Sequence, residues 1–214
     1  MSQQFTLSAA QKALTINLDT NIYGTFAEIG AGQETVRHFF RVGGASGTIA
    51  KAMSAYDKDF SDSIYGIEPD GRYVTLNRLE RMLDHEFGLI QQRLDNSQHP
   101  ERKFFAYANT VATINFTKKF KGHGWMGIRF QTEVNGPAND VIFHIRMKEN
   151  EAKLQQETIG DMGVNLIYGA FYEYQDINKL LVSLYDNIPK ENMEIDMIHV
   201  HGPIFEKVDN RHLS

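Results

Sequence analysis

The chain of 214 residues contains no cysteine, which excludes disulfides, thiolate-held metals and cysteine nucleophiles. It has no run of about 18 apolar residues, the length a membrane-crossing helix needs. The opening stretch M-S-Q-Q-F-T-L-S-A-A lacks a basic segment followed by an apolar one, so it does not read as a signal peptide. There is no excess of positive charge: 22 Lys and Arg against 27 Asp and Glu give a formal net charge of -5. No global basic field therefore draws the chain to nucleic acid or to an anionic membrane, and any such contact would have to rest on a local patch. No internal repeat, low-complexity tract, Gly-Lys-Ser/Thr phosphate loop or Gly-x-Ser-x-Gly elbow occurs. These absences predict a cytoplasmic protein with no membrane partner, for which nucleic acid is disfavoured without being excluded.

With 42% hydrophobic and 23% charged residues, the composition is that of a globular protein able to bury a substantial core. Glycine is concentrated in two early clusters, Gly30/Gly32 and Gly43/Gly44/Gly47. Such clusters mark turns with φ > 0 or close approach of another group. Helices are predicted over Ser8–Leu18, Thr25–Ile29, Gln33–Val42 and Thr48–Tyr65, followed by a loop over Gly66–Arg72. The period of Leu76, Leu79, Met82, Leu83, Phe87, Ile90 and Leu94 predicts a helix capped by Thr75. Lys103–Phe116 is β-rich, and Trp125–Val134 and Asp140–Lys148 alternate with period 2 about an N-G-P-A-N turn. Glu149–Tyr174 returns to helical spacing. Its Gly160, Gly163 and Gly169 weaken an isolated helix and suit one packed closely on something flat. Asp176 is placed to cap a further helix, and Met193–Val200 reads as a last strand. The fold class is α/β with an α+β tendency: an N-terminal helical layer on a mixed, largely antiparallel sheet of about four strands. Residues 1–214 read as one compact domain, with 1–72 its helical, Gly-rich part and 73–214 a helix-β-β-β-helix-β part. Leu83, Phe87, Ile90, Ile128, Phe130, Phe143, Ile145, Leu166 and Phe171 are the expected core.

Four blocks carry a resemblance: Y-G-T-F-A-E-I-G-A-G-Q-E (Tyr23–Glu34), F-F-R-V-G-G-A-S-G-T-I-A-K-A-M-S-A-Y-D (Phe39–Asp57), H-G-W-M-G-I-R-F-Q (His123–Gln131) and G-V-N-L-I-Y-G-A-F-Y (Gly163–Tyr172). They resemble an uncharacterised family of bacterial proteins whose longer members match this chain in their N-terminal portion. Labels within that family conflict, between nicotinate-nucleotide adenylyltransferase and TonB-dependent receptor. The first relies on an H-x-G-H loop, and the nearest match, G-H-G-W at Gly122–Trp125, lacks the second histidine. The second requires a signal peptide and a large outer-membrane barrel. The resemblance therefore transfers no catalytic residue. It leaves open a missing C-terminal portion, beside a homo-oligomer.

Two surfaces invite a ligand. The first is the loop Gly43, Gly44, Ala45, Ser46, Gly47, Thr48, with Arg37, His38, Arg41 and Lys51 around it. Small residues at a helix start expose amides to an anion, and the cations would offset an acidic chain. The Gly30–Thr35 loop offers similar amides but is flanked by Glu28 and Glu34. The second surface is the hairpin face that carries Trp125, Arg129, Gln131, His144, Arg146 and Lys148, basic with one aromatic. His199 and His201 share a strand face, and a third ligand from Glu194 or Asp196 would require a bulge. No residue set supports a catalytic, cofactor or metal assignment. The functions in play are binding of a phosphorylated small molecule or nucleotide, a nucleic-acid module on a degenerate restriction-endonuclease-like core, and a non-enzymatic interaction protein.

Overall fold

The computed structural model describes residues 6–94 and 98–209. Helix α1 (Ala9–Leu18) opens on a capping box, in which Ser8 and Gln11 satisfy each other's backbone N–H. Then come β1 (Ile22–Gly30), α2 (Thr35–Val42), a 3-10 turn (Ala45–Gly47), β2 (Ile49–Ala55), α3 (Lys58–Tyr65) and α4 (Leu76–Arg93). The remainder is β3 (Lys103–Ala112), β4 (His123–Gln131), β5 (Ala138–Met147), α5 (Ala152–Tyr172), α6 (Ile177–Ser183), β6 (Met193–His201) and α7 (Pro203–Asp209). The six strands form one sheet in the order β2-β1-β3-β4-β5-β6. β1 runs parallel to β2 and β3, and the remaining neighbours are antiparallel.

The α/β class is as expected, but the sheet has six strands rather than about four. Thr25–Ile29 is not a helix but the middle of β1, and Thr48–Tyr65 is not one helix but β2 followed by α3. The first carries Ala27 and Glu28, and the second three alanines, two lysines and Met53, residues that favour helices. β1 is buried almost throughout, so it shows no period-2 alternation. Tertiary burial outweighs local propensity here. From Leu76 through β6 the order of elements is the predicted one, with α7 an unpredicted addition, and Thr75 and Asp176 cap α4 and α6 as expected.

Helices cover both faces of the sheet. On one face α1, α2, α5 and α6 bury Phe26, Phe105, Tyr107, Met126, Ile128, Phe130, Val141, Phe143 and Ile145. On the other, α4 lies over β1, β3 and β4 and buries Ala27, Ile29, Ala106, Ala108, Leu79, Leu83, Phe87 and Ile90. All nine residues expected in the core are buried. Helix α5 does approach closely, as its glycines require: a Cβ on Gly163 would stand 2.2 Å from Thr35 Oγ1. That contact seats α2 against the sheet. α4 packs mainly on β1, β3 and β4; of the second surface of the sequence reading, Trp125, Arg129 and Gln131 lie on β4, and His144, Arg146 and Lys148 lie beyond them on β5 or just after it.

Candidate functional site

The structure divides the residues of the first surface between the two faces of the sheet. Arg37 and Arg41 lie on α2 and line a groove of about 570 Å³ against α5, opposite Lys153, Glu157 and Asp161. Arg37 is paired with Glu34 at 2.9 Å, and His38 with Asp161 at 3.2 Å. Gly43, Gly44, Ser46, Gly47 and Thr48 form the turn after α2, and the next element is strand β2 rather than a helix. Gly43 and Gly44 adopt φ of 83° and 75°, the left-handed region that admits glycine readily. The amides of Gly47 and Thr48 bond the carbonyls of Gly44 and Ala45, and Asn17 Nδ2 caps the carbonyls of Phe39 and Gly43. Lys51, in contrast, sits on β2 opposite Thr25 and points to α4.

The start of α2 is an anion site that the protein fills itself. Glu28, buried on β1, accepts from the backbone amides of Thr35 and Val36 at 3.2 and 3.3 Å and from Asn109 Nδ2 at 3.0 Å. Its carboxylate thus occupies the place of an external anion at a helix N-terminus. Burial pushes the Glu28 carboxyl up to about 7, although these donors pull it down. Gly32 has no room for a side chain, since a Cβ would lie 2.2 Å from Asn109 Oδ1. The Gly30–Thr35 loop is therefore closed around an internal carboxylate.

Lys51 leads to a second, more apolar cleft. Between β1, β2 and α4 lies a cavity of about 470 Å³, lined by Tyr23, Thr25, Lys51, Glu86, Leu89, Ile90 and Arg93. Glu86 is 1% exposed at its floor. It accepts the Tyr65 hydroxyl at 2.7 Å and pairs with Lys51 Nζ at 2.5 Å, with Thr25 Oγ1 at 3.5 Å. Burial and the Glu86 charge push the Tyr65 hydroxyl far up, so it remains a donor. Lys51 is half-exposed and keeps donor capacity toward the cleft. Leu89, Ile90 and the Tyr23 ring supply apolar walls. Arg93 stands at the rim, and the guanidinium of Arg102 lies 4.2 Å over the Tyr23 ring, with its Nε buried and unpartnered. A buried ion pair at the floor, apolar walls and an arginine at the rim make up this cleft.

Composition hid this cleft, but position could have shown it. Glu86 falls within the apolar stripe of α4, three residues after Leu83 and one before Phe87. A carboxylate on a buried face needs a partner. The same signal marks Arg78, fully buried and held by Asp62 and Glu68, and Lys12, 2% exposed and held by Asp186 and Asn165.

The second surface has the predicted register: Trp125 opposes His144, and Met126 opposes Phe143. Its charges are mostly paired within the protein. Arg129 makes a two-pronged pair with Asp140 at 2.8 Å on each arm and also bonds Asp84. Gln131 is buried, bonding the Phe104 amide and the Gly136 carbonyl. Lys148 pairs with Glu194 and Arg146 with Asp196. The bulge that the sequence left open does occur, between His144 and Ile145. It turns Asp196 toward His144 rather than toward His199. The result is a chain of rings: Asp196 Oδ1 to His144 Nδ1 at 2.6 Å, then His144 Nε2 to His123 Nδ1 at 3.2 Å. Trp125 packs beside His144 and His199. Among the described residues no group of three His, Cys, Asp or Glu side chains is arranged to hold a metal.

Comparisons with known proteins place the fold. No family model matches the chain, and no curated protein matches it. Among solved structures it is similar to a competence or damage-inducible protein from Enterobacter asburiae (TM-score 0.50, 10% identity), covering 77% of this chain and 98% of that one. It is similar also to a competence-damaged protein (CinA) superfamily member from Klebsiella pneumoniae (TM-score 0.51, 8% identity), covering 75% of this chain and 93% of that one. These likenesses correct the family expected from the sequence blocks. The fold is shared with CinA-superfamily structures, not with proteins labelled adenylyltransferase or TonB-dependent receptor, and at such identities the likeness is one of fold alone.

Proposed function

We propose that the protein binds a small phosphorylated molecule in the cleft between β1, β2 and α4, with its acidic group toward Lys51 and Arg93 and its body against Tyr23, Leu89 and Ile90. The observation that carries this reading is the Lys51–Glu86–Tyr65 arrangement. A fully buried carboxylate, fixed by a tyrosine hydroxyl, holds a half-exposed lysine at the floor of an apolar-walled cavity. The salt bridge restrains the lysine, which lowers the entropy it would lose on meeting a ligand. Glu86 offsets the charge of Lys51, so Arg93 and Arg102 supply the excess positive charge. Of the residues first grouped around the glycine-rich turn, Lys51 belongs to this reading. Arg37 and Arg41 face the separate α2–α5 groove.

Titration calorimetry with adenosine monophosphate, ribose 5-phosphate and inorganic phosphate tests the reading. Binding of at least one phosphorylated probe, weakened roughly tenfold or more by Lys51→Met or Arg93→Ala, supports it, a tenfold loss being about 1.4 kcal/mol. Binding untouched by both substitutions, or carried instead by Arg37→Ala and Arg41→Ala, overturns it.

A further inference from the structure

The connection between β3 and β4 presents two phenylalanines to solvent without a partner. Phe116 is 103% exposed and Phe120 is 71% exposed. Lys118, Lys119 and Lys121 stand beside them, all exposed. The turn is built rather than loose. Asn115 Oδ1 accepts from the amides of Lys119 and Phe120 at 3.0 and 3.4 Å, and its carbonyl accepts from Lys118 N at 2.9 Å. Lys118 takes a left-handed φ of 55°. The base is pinned by Gln155, fully buried, whose Oε1 accepts from Ile114 N at 2.7 Å. The protein thus fixes a tip that directs both rings away from the core.

We propose that this tip attaches the protein to an anionic lipid surface, the two phenyl rings entering the headgroup boundary while the three lysines meet lipid phosphates. Convexity favours this occupant. Every residue from Phe116 to Lys121 is exposed, so no groove is present to follow a nucleic-acid backbone, whereas insertion into a bilayer needs no complementary shape. Charge favours it as well. The chain carries a formal net charge of -5, so three clustered lysines orient the molecule with its acidic body away from the lipid. This is the local patch that the overall charge balance still allowed, and it is peripheral: among the described residues no helix is long and apolar enough to cross a membrane.

Co-sedimentation of the full chain with vesicles tests the proposal. Binding is expected to phosphatidylcholine vesicles that contain phosphatidylserine, to be much weaker to phosphatidylcholine alone, and to fall with added salt. Each Lys→Gln change at 118, 119 and 121 should weaken partitioning about fivefold, the equivalent of about 1 kcal/mol per basic residue. Phe116→Ser with Phe120→Ser should reduce it by a comparable or larger factor at unchanged charge. Emission of the single tryptophan, the buried Trp125, reports that the variants stay folded. Wild-type protein left in the supernatant with both vesicle types, or equal sedimentation of all variants, overturns the proposal. So does tip-dependent binding of a single-stranded oligoribonucleotide without vesicle binding.

Discussion

His144 and Asp196 stand 2.6 Å apart through Nδ1 and Oδ1, and that contact sets the tautomer that a neutral His144 adopts. Burial pushes the Asp196 carboxyl up, but hydrogen bonds from His144 and Arg146 overcome it and hold the carboxyl below its ordinary range. As a carboxylate it only accepts, so His144 carries a proton on Nδ1, and in its neutral form it offers Nε2 as an acceptor. With both rings neutral, His123 donates from Nδ1 to His144 Nε2, which leaves its own Nε2 as a bare lone pair.

Nitrogen NMR should therefore show His123 as one tautomer, protonated on Nδ1, and Asp196→Asn should turn it into a mixture. His123 should also titrate below an ordinary imidazole, because burial and then the charges of His144 and Arg146 disfavour its cation. A His123 protonated on Nε2 would show that the chain runs the other way.

Glu28 gives a pH dependence of stability with a definite sign. Its folded value, about 7, lies above the ordinary 4.5, so the folded chain holds this proton more tightly than the unfolded chain does. The contribution is fully present below about 4.5 and is lost as pH rises through about 7. Urea midpoints at about pH 5 and about pH 8 should differ less in Glu28→Gln than in the wild type. An unchanged difference would relieve Glu28 of the role.

How much of the structure was legible in the sequence depends on what each element buries. β4 and β5 alternate because α5 covers one face while part of the other carries polar groups, so their register and facing could be read from Met126, Phe143 and Trp125 alone. β1 hides the same signal, because Phe26 faces α2 and Ala27 faces α4 and both are fully buried. β2 is an edge strand of alanines, a lysine and a methionine, and nothing local distinguishes it from a helix. The cleft depends on that strand, since Lys51 meets Glu86 only when β2 pairs with β1 in the observed register. Reading the segment as helix left Lys51 grouped with Arg37 and Arg41, which neighbour it in sequence but not in space.

Close packing of the α5 layer predicts large penalties for small changes. Phe130→Ala or Phe143→Ala, each at a fully buried ring, should cost about 3–5 kcal/mol in urea melts. Gly163→Ala adds a single methyl 2.2 Å from Thr35 Oγ1 and 2.5 Å from Tyr107 Oη, and should cost roughly 1–3 kcal/mol by forcing α5 and α2 apart. A neutral Gly163→Ala would mean that the helices have slack the structure does not show.

The floor of the cleft predicts an asymmetry between two substitutions of one ion pair. Lys51→Met leaves the Glu86 carboxylate, 0% exposed at its side chain, with only the Tyr65 hydroxyl and the distant Thr25 hydroxyl for company. A stranded buried charge costs about 3–5 kcal/mol when no water reaches it. Here the departing lysine is 38% exposed, so solvent entering by its path should reduce the loss to roughly 1–3 kcal/mol. Glu86→Gln leaves instead a half-exposed ammonium, which turns to water, while the new amide oxygen still accepts from Tyr65. Its cost should stay below about 1 kcal/mol. Paired urea melts at neutral pH decide the matter. If Glu86→Gln proves the more damaging at neutral pH, the carboxylate is held by Tyr65 and Thr25 rather than by Lys51, and the lysine is not the anchored cation that the proposed ligand requires.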